Sequence, residues 1–153
     1  FNESISCYKR AIKLKSDYAE AYNNLGVVLK NLGNFKEAIV FLERAYSLLN
    51  NLSLRSSDML ETEVFLQLAY KNLDNKYEID KVKTLLSKTM ANRLRIHDYV
   101  NYALYQLLED ILYIETAYQK IQKKVDNLEP DVAAKFLSYP IPKAIVEEWE
   151  KVE

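Results

Sequence analysis

Residues 17–49 read DYAEAYNNLGVVLKNLGNFKEAIVFLERAYSLL, and the spacing of large and small side chains in this stretch decides the fold. Tyr22, Leu25, Gly26 and Leu29 recur at i, i+3, i+4 and i+7, which places them on one face of a helix. Gly33-Asn34 then predicts a stop, because glycine takes the left-handed backbone conformation without a Cβ penalty. A second helical stripe follows in Phe35, Ala38, Ile39, Leu42 and Ala45. Asp17 with Glu20 three residues on has the form of a capping box, so the first helix is expected to start there.

The same sizes recur upstream. Sliding the chain by 34 residues places Phe1 on Phe35, Glu3 on Glu37, Ile5 on Ile39, Arg10 on Arg44, Ala11 on Ala45 and Leu14 on Leu48. Residues 1–16 therefore read as the second helix of an earlier hairpin whose first helix is missing. Repeat arrays normally end in a polar cap, so further repeats are expected upstream of Phe1, which is not a methionine.

Taken together, Tyr22, Leu25, Gly26, Leu29, Gly33, Phe35, Ala38, Leu42 and Ala45 resemble the tetratricopeptide-repeat (TPR) pattern in register. Gly26 and Ala38 are small where two helices cross closely, and the large residues fill the space around them. Ser16 departs from the proline that family usually carries near the end of the preceding repeat. The resemblance implies an all-α, helical-hairpin solenoid whose first helices line a concave groove. Carried over residue by residue, that groove holds Glu20, Asn23, Asn24, Val27, Lys30 and Asn31. Asn24 stands where arrays such as those of O-GlcNAc transferases carry an asparagine ladder, and an asparagine amide can both donate to and accept from an extended peptide. The alternative for these positions is a solvated polar surface.

Beyond the hairpin the pattern loosens. Residues 17–50 form one repeat, and residues 51–96 read as a degenerate repeat with an insertion. Asn50 to Asp58 is a polar linker, Asp58 with Glu61 marks a helix start, and Phe65, Leu68 and Ala69 echo Tyr22, Leu25 and Gly26. Asp74-Asn75 predicts a turn, and Ile79, Val82, Leu85 and Leu86 the next stripe. Residues 97–153 lose the repeat. Tyr102, Tyr105, Leu108, Leu112, Ile114, Tyr118, Ile121, Val125 and Leu128 predict one long helix to about Asn127, or two with a hidden bend. Pro130 opens a short helix through Phe136, Pro140-Ile141-Pro142 is expected to break the chain, and Lys143 to Glu153 forms the last helix. This tail is expected to cap the stack; the competing reading makes it a dimer surface or a dock for a second domain.

Composition narrows the function classes. The 153 residues carry a net charge of −1, so no global field draws the chain to nucleic acid. No apolar run approaches the ~20 residues of a membrane helix. Cys7 is the only cysteine, which excludes an internal disulfide, suits a reducing compartment and leads to a cytoplasmic expectation. Two glycines and three prolines leave little turn material, as long helices require. His97 is the only histidine, and no phosphate loop, zinc-protease motif or paired-cysteine motif is present, so no catalytic residue, metal or cofactor is assigned. His97-Asp98 reads as a linker histidine beside an N-cap aspartate, and Cys7 as a packing residue.

One charge run stands out: Lys81, Lys83, Lys88, Arg93 and Arg95, with no acid between Asp80 and His97. An acidic partner or RNA would suit it, but such runs are more often a solvated helix face. Chaperone-binding members of the family clamp an acidic peptide terminus with Lys and Arg, and those places hold Glu63 and Gln67 here. The C-terminal tails of Hsp70 and Hsp90 are therefore disfavoured. The function expected is a non-catalytic scaffold that binds a protein or peptide partner in the groove. The alternative is the repeat arm of a larger glycosyltransferase or sulfotransferase, used for substrate docking or for homo-oligomer formation.

Overall fold

The computed structural model describes residues 2–51, 56–74 and 76–153. Among the described residues it forms nine α-helices and no strand. Two compact units follow one another, from the N-terminus to Arg95 and from Ile96 to Glu153.

The first unit holds α1 (Asn2–Leu14), α2 (Ala19–Asn31), α3 (Phe35–Asn51), α4 (Ser56–Asn72) and α5 (Ile79–Ala91). Helices α2 and α3 form the antiparallel hairpin that the opening stretch predicts. Ala19 at the start of α2 clusters with Leu48 and Leu49 at the end of α3. Tyr22 meets Phe41 with ring centroids 6.1 Å apart. Gly26 lies against Leu42 so closely that a Cβ there would sit 2.5 Å from Leu42 Cγ. The helix ends as expected: Gly33 has φ +80°, its N–H reaches Lys30, and the N–H of Asn34 reaches Leu29 at 2.9 Å.

The start of α2 differs from expectation. Tyr18, not Asp17, is the N-cap residue, and no side chain caps the helix. Asp17 contributes only its backbone carbonyl, to Ala19. In α1 the half-buried stripe is Ile5, Tyr8, Ala11 and Ile12, and Cys7 is exposed rather than packed. Two residues at 100° each put Cys7 on the far side of the helix from Ile5.

Helix α4 begins at Ser56, before the expected Asp58, and the linker residues 52–55 lie outside the described residues. Every residue from Thr62 to Ala69 is buried. This helix is enclosed on opposite sides, so it has no exposed face over those two turns. Asp74 takes the turn with φ 56°, while Asn75 lies outside the described residues. In α5, Val82, Leu85, Leu86 and Thr89 are buried. That helix ends with Arg93 in the left-handed region at φ 54° and the Leu94 N–H bonded to Thr89.

The second unit holds α6 (Asp98–Leu108), α7 (Ile111–Val125), α8 (Pro130–Leu137) and α9 (Pro140–Val152). The two-helix alternative is the correct one. Glu109 turns left-handed at φ 58°, and Asp110 caps α7 by accepting the Leu112 N–H at 3.0 Å. His97 is itself the N-cap residue of α6, and Asp98 is its first helical residue, bonded to Lys124 at 2.7 Å. Residues 140–142 open α9 instead of breaking the chain. A proline in the first turn removes only N–H groups that have no intrahelical partner. The core of this unit is Ile114, Ala117, Ile121 and Ile145, with Tyr118 and Trp149 stacked 5.4 Å apart beside it. Tyr102 and Tyr105 pack against the same core, whereas Leu112 faces outward.

Candidate functional site

The six groove residues of α2 separate into two sets. Glu20, Asn24, Val27 and Asn31 fall within about 60° of one another around the helix, at 100° per residue. Glu20 and Asn31 are exposed, and Asn24 and Val27 are half-buried. Asn23 and Lys30 lie at the edge of that stripe and turn toward α4. The Asn23 amide donates to Glu61 Oε1 at 3.1 Å and accepts from the Thr62 hydroxyl at 2.9 Å, so it belongs to the α2–α4 packing and not to an open surface. Lys30 sets its ammonium 5.4 Å from the Phe65 ring centre, and burial lowers its pKa. What remains open on α2 is a strip with one carboxylate, two amides and one apolar patch between them.

The basic run is not confined to one face of α5. Lys81 and Lys88, seven residues apart, share one side of α5, and Lys83 lies about 160° away from Lys81. Lys88, Arg93 and Arg95 are exposed. Lys81 is paired with Glu63 at 3.1 Å and sits 3.8 Å over the Tyr46 ring. One member of the run is therefore paired within the fold, and Lys83 points away from it.

Glu63 and Gln67, the two places that would carry a clamp, are both buried. They begin a polar chain that runs out of the core. Gln67 Nε2 donates to Glu63 Oε1 at 2.8 Å, and Gln67 Oε1 accepts the backbone N–H of Glu78 at 2.7 Å. Glu78 is the N-cap residue of α5, so this chain fixes the turn between α4 and α5. A cleft of about 490 Å³ opens beside it, lined by Glu43, Tyr46 and Ser47 from α3, Glu63, Leu66, Gln67 and Tyr70 from α4, and Lys76, Glu78 and Lys81. Within α3 and α4 the lining residues do follow helical spacing, Glu43, Tyr46 and Ser47 on one helix and Glu63, Leu66, Gln67 and Tyr70 on the other, but sequence spacing does not say which helix faces meet, so the cleft was not legible.

Two groups at the cleft titrate late. Burial, then the bond and charge of Glu43 and the charge of Glu63, push Tyr70 up to about 12 from 10.0. Burial pulls the Lys81 ammonium down, but Glu63 and Tyr46 outweigh it and leave the pKa raised above 10.5. Both folded values exceed the unfolded ones. Their contribution to stability is complete below pH 10 and disappears as pH climbs through the folded values. In an ultraviolet titration of tyrosinate, the difference between the parent chain and Tyr70→Phe is expected to centre near pH 12. A difference centred near pH 10 would show that the phenol is held neither by burial nor by Glu43.

No group of His, Cys, Asp and Glu suited to a metal ion occurs among the described residues. No described helix is long and apolar enough to cross a membrane. A family model described as TPR repeat matches residues 1–33, and one described as tetratricopeptide repeat matches residues 19–51. The second span starts with α2 and ends with α3. Comparison with curated proteins and with solved structures found no match.

Proposed function

We propose, proceeding from the membership of residues 1–51 in the tetratricopeptide-repeat family, that this chain is a protein-interaction scaffold that holds an extended peptide of a partner on the open strip of α2. Repeats of this family are protein-interaction modules. The observation that carries the reading is the division of α2 itself. Its other faces are used by α1, α3 and α4, while Glu20, Asn24, Val27 and Asn31 stay accessible. Among the described residues nothing bonds the Asn24 amide, which leaves two donors and an acceptor for a peptide backbone. Val27, one turn away, supplies apolar contact. Binding needs no chemistry from the scaffold, only this pairing of amide and methyl groups along a rigid helix.

The test is to pan a displayed library of random linear peptides against the chain and to measure the enriched peptides on variants. Asn24→Ala is expected to weaken them by about 5- to 10-fold, the worth of one or two hydrogen bonds. Lys83→Ala, on α5, is expected to change nothing. Failure to enrich any peptide, or equal affinity for Asn24→Ala, overturns the reading.

A further inference from the structure

We propose that the cleft between α3, α4 and the start of α5 receives the guanidinium of an arginine side chain from a partner protein, and that Lys81 occupies the place until it arrives. The cleft is on the opposite side of α4 from α2, so nothing in this inference rests on the α2 strip. Residues 61, 62 and 65 face α2, and residues 63, 67 and 70 face the cleft, about half a turn round the helix.

Three features specify the ligand. The first is Glu63, whose carboxylate is fully buried and lines the cleft. Its Oε1 is satisfied by Gln67, but its Oε2 has no aligned hydrogen bond. Lys81 supplies charge at 3.1 Å without the geometry of a bond. The second is Tyr46, whose ring face holds the Lys81 ammonium at 3.8 Å and marks a place for a cation. The third is Glu43, a second carboxylate on the rim, steadied by the Tyr70 hydroxyl. A buried carboxylate oxygen lacking a directed donor, a π face and a second carboxylate are together complementary to a planar cation with several N–H groups. A guanidinium stacks on an aromatic ring and donates to carboxylates at once, whereas an ammonium is a point charge. Lys81, itself 44% exposed at the mouth, is able to swing into solvent and leave the place open.

The probes are N-acetyl-arginine methylamide, its lysine and citrulline counterparts, and the ¹⁵N-labelled chain observed by NMR. Lys81→Ala is expected to bind the arginine compound about tenfold more tightly than the parent chain, because the internal competitor is gone. Lys81→Arg is expected to show no saturable binding, since it fills the place from within. Tyr46→Leu, in either background, is expected to weaken the arginine compound by about 5-fold or more. Citrulline, isosteric and uncharged, is expected not to bind. The inference is overturned if citrulline or lysine binds as well as arginine, or if the parent, Lys81→Ala and Lys81→Arg chains respond alike. Should Lys81→Ala fail to fold, the parent chain against Tyr46→Leu decides: equal arginine affinity overturns the inference, and a loss supports it.

Discussion

Gly26→Ala is expected to destabilise the first unit by about 1–2 kcal/mol, the reverse of the usual effect of alanine for glycine inside a helix. In an open helix that exchange gains about 1 kcal/mol, because alanine loses less backbone entropy. Here the new methyl would lie 2.5 Å from Leu42 Cγ and 2.9 Å from Cδ2, with the Ala38 carbonyl at 3.2 Å. Leu42 is fully buried, and its Cγ is close to the backbone, so it has nowhere to retreat. Leu42→Ala alone is expected to cost about 2–5 kcal/mol through lost burial and the cavity it leaves. Combining the two removes the clash and fills part of that cavity. The double variant should therefore lose less than the sum of the single losses, by about 1–2 kcal/mol, in urea unfolding. Strict additivity would mean that Gly26 is not small for the sake of Leu42. The close crossing of α2 and α3 would then need another cause.

That pair also explains why the hairpin was legible. Tyr22, Gly26, Ala38 and Leu42 carry their sizes on the surface of the sequence, and the packing that requires those sizes is between neighbours in the chain. The departures have equally local causes. Asp17 and Glu20 have capping-box spacing, but the helix starts one residue too late for Asp17 to serve as its cap. Pro140 and Pro142 look like a break, yet both sit in a first turn where their missing N–H groups have no role. Helix α4 was the hardest to read for a different reason. Apolar periodicity arises when one face meets water, and Thr62 to Ala69 are all buried. Buried Glu63 and Gln67 then resemble surface residues. Of the six groove positions, Asn23 and Lys30 could not be told from Asn24 by spacing, because the distinction is made by Glu61, Thr62 and Phe65 more than 30 residues on.

Lys81→Ala is expected to lower stability by about 2–3 kcal/mol. Removing one partner of a buried ion pair typically costs about 3–5 kcal/mol, and the exposure of this ammonium reduces the figure. The loss is not the worth of the attraction across 3.1 Å. It is the penalty of leaving Glu63, fully buried, with Oε2 facing no cation. Removing the charge from the other side should therefore repair much of it. Glu63→Gln on its own is expected to cost about 1–2 kcal/mol, because Gln67 then donates to a neutral acceptor and Lys81 loses its partner. In the Glu63→Gln/Lys81→Ala chain no buried charge is left, and the total loss should fall at least about 1 kcal/mol below the sum of the two. The Gln67 bond to the Glu78 N–H should persist in every variant, since it leaves Gln67 from the other end of its amide. Hydrogen exchange at Glu78 reads this directly. Additive losses in urea unfolding would refute the coupling. A Glu78 amide that exchanges freely in Lys81→Ala would show instead that the ion pair, and not the glutamine, holds the α4–α5 turn.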